Sequence, residues 1–191
     1  YEVIPASLPL SLSSYERLDE SQFDFERKTK NLMCNVGFME TINYSFVSED
    51  SLRKFGLPLE GLVPLKNPIS DEMKVLRTSL LGSLLNTYTY NKNRKVTDQK
   101  LFELARTFVW DLQEETQVKE TPHVAVLASG CYMPPHWKGK SPQVDFYYMK
   151  GLAEMLIRQL TTVYPAYDQP RNTTLFHPKR STIIKLGLKE V

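Results

Sequence analysis

Several absences narrow the reading of this 191-residue chain before any pattern is sought. Cysteine is scarce: Cys34 and Cys131 stand far apart with no third, which excludes a disulfide framework and predicts two buried thiols in a reducing compartment. No stretch nears the roughly 18 uninterrupted apolar residues of a membrane span. Residues 1–9 lack the basic start and apolar run of a signal peptide, so the chain reads as soluble and cytoplasmic. The few glycines form no phosphate-cradling loop and no nucleophile elbow, and there is no H-E-x-x-H. Zinc needs three or four convergent donors, and His123, His136 and His177 show no pair at ligand spacing. Each histidine is expected to be a surface or hydrogen-bonded structural residue.

What the chain does have is apolar and aromatic. It carries 41% hydrophobic residues, 9 Phe, 10 Tyr and 2 Trp against a net charge of only +2, the opposite of a disordered composition. A chain this long buries roughly 70% of its unfolded surface, enough for one substantial core or two small ones. Charge is uneven, with the excess of basic residues falling in 61–110. Its one short cationic cluster is Lys92, Arg94 and Lys95. Three charges are far fewer than the about 6 to 10 phosphate contacts of a salt-sensitive DNA binder, so a solvated loop and a nucleic-acid contact both stay open.

Periodicity predicts a helix from about Asp19 to Val36, with Phe25, Thr29, Leu32 and Val36 on one stripe and Gly37 as its stop. From Phe38 to Val47 the sequence alternates Phe38, Ile42, Tyr44 and Phe46 against Met39, Thr41, Asn43 and Ser45, as a strand does. Ser48 is a candidate N-cap for a short helix ending at Gly56. Asn67-Pro68 marks a turn, and Leu81, Leu84, Leu85 and Tyr88 form the clearest amphipathic stripe, on a helix from Thr78 or Ser79 to about Lys92. Leu101 to Trp110 reads as a central strand covered on both faces, and His123 to Ser129 as a second buried strand. Asp145 should cap a helix carrying Met149, Leu152, Leu156 and Leu160. Thr182 to Leu186 is strand-like, Gly187 offers a turn, and Val191 would begin a returning strand. This order favours an α+β fold, an antiparallel sheet with helices on one side, over a doubly wound one.

Few charged residues invite a chemical role. Asp71 and Glu72 sit after Ser70, where acids stabilise a helical first turn. Arg77 lies at the entry of the amphipathic helix and Arg106 inside an otherwise apolar strand. A guanidinium in such a place requires a carboxylate or phosphate partner, either an internal one such as Glu103 or Glu72, or another subunit or RNA.

A longer ordered pattern runs through the middle of the chain. Asn67-Pro68-Ile69-Ser70-Asp71-Glu72-Met73, Leu76-Arg77-Thr78-Ser79-Leu80-Leu81, Leu84-Leu85, Tyr90-Asn91, Asn93-Arg94 and Leu101-Phe102-Glu103-Leu104-Ala105-Arg106 follow one another. With Gly37-Phe38, Tyr44-Ser45-Phe46, His136-Trp137, Val144-Asp145-Phe146, Lys150-Gly151 and Phe176-His177-Pro178, they resemble the bacterial phenylalanyl-tRNA synthetase β subunit along nearly the whole chain.

The resemblance implies a β-subunit fragment: residues 1–14 as the tail of a preceding domain and linker, and 15–191 as a C-terminally incomplete module resembling a class II synthetase catalytic domain, an antiparallel sheet flanked by helices. The module is implied to be a degenerate copy. ATP and magnesium serve the parent ligase, phenylalanine is activated on the α subunit, and no catalytic, cofactor or metal residue carries over to this chain. Glu103 and Arg106 lie where a class II domain carries its second signature motif, while the Gly-rich third motif is not found. Implied partners are the α subunit and a second αβ pair, with no membrane. The helix and strand from Asp19 to Val47 correspond to the first motif used at subunit interfaces, so Phe25, Leu32 and Met33 are expected to face a partner helix or, equally, an internal core. The alternative reading is a tRNA-contacting module using Arg77, Lys92, Arg94 and Lys95.

Overall fold

The computed structural model describes residues 21–134, 136–170, 175–187 and 189–190. The expected tail, 1–14, the opening of the first helix at 19–20, and Val191 lie outside the described residues.

The first described element is helix α1, Ser21–Asn35. Its inward line is Thr29 and Met33, one turn apart and both buried, rather than the full predicted stripe. Leu32 is half-buried, while Phe25 and Val36 are exposed. Gly37 ends the helix at φ 85°, a left-handed conformation that side chains resist. The Phe38 amide then donates back to the Met33 carbonyl at 3.0 Å, and Phe38 enters the core.

Instead of one long strand, the chain forms β1, Met39–Glu40, and β2, Phe46–Val47, joined by an irregular run. The predicted alternation persists in that run with its phase reversed. Thr41, Asn43 and Ser45 turn inward, while Ile42 is 91% and Tyr44 73% exposed. The expectation that Ile42 and Tyr44 share the buried face of Phe38 is therefore corrected. Helix α2, Glu49–Lys54, is capped by Ser48, whose hydroxyl accepts from the Ser51 amide at 3.1 Å. Leu52, Leu57 and Val75 make a small core beneath it. Asp71 and Glu72 do not open a helix. They lie in a turn, where a hydrogen bond from Lys74 holds the Asp71 carboxyl below the ordinary carboxylate range.

After β3, Val75–Leu76, helix α3 runs over Leu81–Asn93 with Leu84 fully buried. The long strands β4, Gln99–Trp110, and β5, Val118–Ser129, form an antiparallel hairpin in which Phe102 opposes Val126. β1 joins the other edge of β4 in parallel, giving the order β1-β4-β5. Helix α4, Phe146–Leu160, opens at Asp145, whose carboxylate accepts from the Tyr148 amide at 2.8 Å. A last sheet is built from β6, Pro165–Asp168, β7, Ile183–Leu186, and β8, Lys189–Glu190.

Helices lie on both faces of the β4–β5 sheet, not on one. Side chains alternate along β4, so Phe102 packs with Met33, Phe38 and Leu152 in the core shared by α1 and α4. Gln99, of the opposite parity, donates from its Nε2 to the Tyr88 carbonyl of α3 at 3.2 Å. Only the first half of β4 is covered on both sides; Arg106, Val109 and Trp110 are exposed. β5 is half-exposed throughout rather than buried, because among the described residues no further strand pairs its outer edge. The thiols are likewise not both buried: Cys34 is exposed and Cys131 half-buried. Among the described residues no helix is long and apolar enough to cross a membrane.

Beyond β1, the free edge of β4 is met by backbone from loops. Phe108 donates to the Arg77 carbonyl at 3.0 Å and Trp110 to the Gly61 carbonyl at 2.8 Å. Gly61 has φ 68°, and a Cβ there would stand 2.8 Å from Val109 Cγ1, so no larger residue fits. Phe102, fully buried where α1, α4 and both long strands meet, carries most of this core. Phe102→Ala is expected to cost about 3–5 kcal/mol, read as a lowered urea midpoint at unchanged slope.

Candidate functional site

Glu103 stands in the most buried part of β4, on the face turned to α3. A carboxylate held there without a partner would be prohibitively costly, so the fold must bring it a cation. It does so from 26 residues upstream. Arg77 Nη1 lies 2.6 Å from Glu103 Oε1, and both side chains are 2% exposed. The guanidinium also donates from Nε to the Arg106 carbonyl at 3.1 Å, tying it to the same strand.

The second carboxylate oxygen needs its own donor, and Asn43 supplies it. Asn43 Nδ2 lies 2.8 Å from Glu103 Oε2. The Asn43 amide oxygen in turn accepts from the Thr87 hydroxyl of α3 at 2.9 Å. On either side of Asn43, the Thr41 amide donates to the Phe102 carbonyl at 2.8 Å and the Ser45 carbonyl accepts from the Arg77 amide at 2.9 Å. Strand β4, helix α3, the entry to α3 and the 41–45 run are thus joined around one ion pair.

Above the pair lies a recess of about 290 Å³, bordered by Lys30, Glu40, Ile42, Asn43, Arg77 and Glu103. Lys30 and Glu40 form an ion pair of 2.6 Å at its rim. A larger groove of about 540 Å³ runs between α4 and β7, with Phe146, Met149 and Ile183 among its walls. Its Lys150 is already engaged, with its ammonium 4.1 Å from the centre of the Tyr167 ring and 3.6 Å from Glu154. Burial and a hydrogen bond to Glu154 push the Tyr167 hydroxyl up to about 12. Arg180, Ser181 and Thr182 stand with Lys150 among its otherwise apolar described walls.

The other residues singled out in the sequence scatter. Arg106 pairs with Glu120 at 2.8 Å, about half-exposed on both sides, a contact worth at most about 1 kcal/mol. Arg94 stacks 3.3 Å above the centre of the Tyr90 ring and Lys92 lies 5.5 Å from that of Tyr88. Lys95 closes α3 at φ 67°. These three cations are exposed together, but Arg77, which the alternative tRNA reading groups with them, is buried against Glu103, one of the two internal partners the sequence offers. Of the two alternatives held for Phe25, Leu32 and Met33, Met33 takes the internal one, wholly buried against Phe38, Phe102 and Leu152. Phe25 alone of that trio is exposed, at 50%, with Leu32 half-buried. His123 Nδ1 lies 3.0 Å from the Thr107 hydroxyl, and His136 and His177 accept from the Lys138 and Lys179 amides at 3.2 Å.

Sequence reasoning missed Asn43 and Thr87. The only signal for Asn43 was the 41–45 alternation itself, and period two is blind to which face is inward.

Removing one member of a buried pair strands the other. Glu103→Leu is expected to destabilise by about 3–5 kcal/mol. The double variant Arg77→Met/Glu103→Leu should recover part of that loss, and equilibrium urea unfolding of the three proteins measures the difference.

The comparisons agree with this architecture. The family model described as phenylalanyl tRNA synthetase beta chain CLM domain matches residues 4–191. The chain is 32% identical over 195 residues to the phenylalanine–tRNA ligase beta subunit of Carboxydothermus hydrogenoformans, covering 100% of this chain and 24% of that protein. It is also 32% identical over 191 residues to the same subunit of Pasteurella multocida, with the same coverage. The chain therefore spans about a quarter of the length of these curated relatives. Among solved structures, a pyrrolysyl tRNA synthetase from Desulfitobacterium hafniense superposes with a TM-score of 0.62 at 13% identity, covering 89% of this chain and 54% of that one. A histidine–tRNA ligase subunit from Alicyclobacillus acidocaldarius gives 0.56 at 12% identity, covering 82% and 42%. At such identities the likeness shows the fold, an α+β sheet flanked by helices of the class II synthetase kind. The sequence match goes further, and the chain belongs to the phenylalanyl-tRNA synthetase β-chain CLM domain family.

Proposed function

We propose that residues 15–191 form a non-catalytic assembly module of the β subunit of a cytoplasmic phenylalanine–tRNA ligase. On this reading the module seats the α subunit, on which phenylalanine is activated with ATP and magnesium, and helps join a second αβ pair. The observation that carries it is the reversed alternation of the 41–45 run. An apolar pair, Ile42 and Tyr44, faces solvent while its polar neighbours face inward. Met39, 59% exposed, precedes them, and Phe23 and Phe25 of α1 are exposed as well. Burying a large apolar side chain is worth about 1.5–3 kcal/mol, and an exposed set of this kind marks an interaction site.

The lack of catalysis is supported by the arginines. Guanidinium groups free to bond phosphate bidentately are one common means of holding a nucleotide. Arg77 is committed to Glu103 and Arg106 to Glu120, one on each half of β4. The residues present on this strand therefore do not fit a triphosphate, and ATP and magnesium are assigned to the parent enzyme.

A second reading, contact with tRNA, is favoured by one fact: among the described residues Lys92, Arg94 and Lys95 form no ion pair, leaving three exposed charges. Three phosphate contacts give a slope of log K against log salt of about −2.7 on a duplex. If these cations carry RNA binding, replacing all three with alanine should flatten the measured slope toward zero.

For the leading reading, Ile42→Asp in the complete β subunit is expected to weaken association with the α subunit by about tenfold or more. Because the side chain is exposed, its effect on β-subunit stability should stay within about 0.5 kcal/mol. Undiminished α binding, measured by interferometry or co-purification, would remove the interface proposal. ATP–pyrophosphate exchange by this chain alone would remove the non-catalytic one.

A further inference from the structure

We infer that Asn43 is a positioning residue for assembly: anchored to Glu103 and Thr87, it holds the 41–45 run in the phase that presents Ile42 and Tyr44 to the α subunit. The inference rests on the assembly reading above. The sequence Thr41-Ile42-Asn43-Tyr44-Ser45 is compatible with either phase, and a slip of one residue would exchange the two faces completely. Apolar burial by itself favours the phase that the structure does not adopt.

The reason lies beneath the run. Glu103 is buried, and Arg77 engages Oε1. Oε2 is reached by Asn43 Nδ2 at 2.8 Å. Were the phase reversed, Ile42 or Tyr44 would stand where Asn43 does and offer no amide donor, leaving a buried carboxylate oxygen with its desolvation uncompensated. The flanking anchors discriminate less: Ser45 bonds through its backbone, and Thr41 adds to its backbone bond a longer one from its hydroxyl to the Phe102 carbonyl, at 3.2 Å, neither of which reaches the buried charge. Asn43 is the residue within the run whose side chain reaches the buried carboxylate. Its amide oxygen meets the Thr87 hydroxyl of α3 as well, so donor and acceptor are both fixed and the side chain cannot rotate without losing both. Asn43 thereby governs a surface to which its own side chain, turned toward the core, contributes no contact.

The partner this surface fits is apolar, with depressions that take a branched aliphatic and an aromatic side chain two residues apart. Lys30 and Glu40, already paired with each other, border it and ask for no complementary charge.

The test uses the complete β subunit with the α subunit, and reads both their dissociation constant and amide hydrogen exchange in β. Asn43→Ala is expected to weaken association about tenfold and to speed exchange selectively in 41–45. Asn43→Asp keeps the shape but exchanges the donor for an acceptor beside Glu103, and should weaken association at least as much. Thr87→Val should act in the same direction and less. In a double-mutant cycle, Ile42→Ala introduced beside Asn43→Ala should cost clearly less than it does alone, because the aim of Ile42 is already lost. Independent effects of the two substitutions on the dissociation constant would overturn the inference. So would exchange that rises throughout β4 and α3 rather than in 41–45, the mark of general loosening. If wild-type β does not bind α at all, the assembly reading falls; exchange in the Asn43→Ala protein then still decides the positioning claim, which unchanged protection at 41–45 overturns.

Discussion

Glu103 is an acidic residue in the most buried stretch of β4, one of the two 12-residue strands, and much of the surrounding arrangement follows from satisfying it. Arg77 answers the charge, and in doing so its backbone is drawn to the free edge of β4, where its carbonyl receives the Phe108 amide and its amide meets Ser45. Asn43 answers the remaining oxygen and brings Thr87 of α3 into the same cluster. Such a pair does not have to stabilise more than a well-packed apolar replacement would. Its effect is directional: it dictates which segments meet over β4 and which way they face.

That direction has a consequence at the surface. With polar residues committed inward between β1 and β2, the apolar members of the run, Ile42 and Tyr44, are left outside. In this β-chain module the buried arginine and the neighbouring Arg106 are each matched by a glutamate. The same pairing that supports a non-catalytic role also generates the exposed apolar run on which the proposed assembly role rests.

Local signals in the sequence were read well where the physics is local. The N-caps at Ser48 and Asp145 act within three residues, and the Gly37 stop and the Leu152–Leu156 stripe within about one helical turn. Burial across the sheet was read less well. Leu101 to Trp110 has a uniformly apolar look, but only its first half is covered on both faces, and β5 shares the composition of a buried strand while lying at an edge. Composition reports what a segment tolerates, not which neighbours reach it. Met33 shows the same limit. It lies next to Leu32 on α1, and a rotation of a fraction of a turn decides which of them enters the core.

The sequence by itself determined the main helices, the caps at Ser48 and Asp145, the α+β class and the family, because periods of 3.6 and 2, capping side chains and long ordered matches are all written in neighbouring residues. Tertiary structure alone decided the phase of the 41–45 run, the partner of Arg77 and the burial of Met33. The contact that fixes the phase joins residues 60 apart, Asn43 and Glu103, and the ion pair joins residues 26 apart. An alternating pattern is symmetric between its two faces, so only a buried charge delivered from elsewhere in the chain can break the tie.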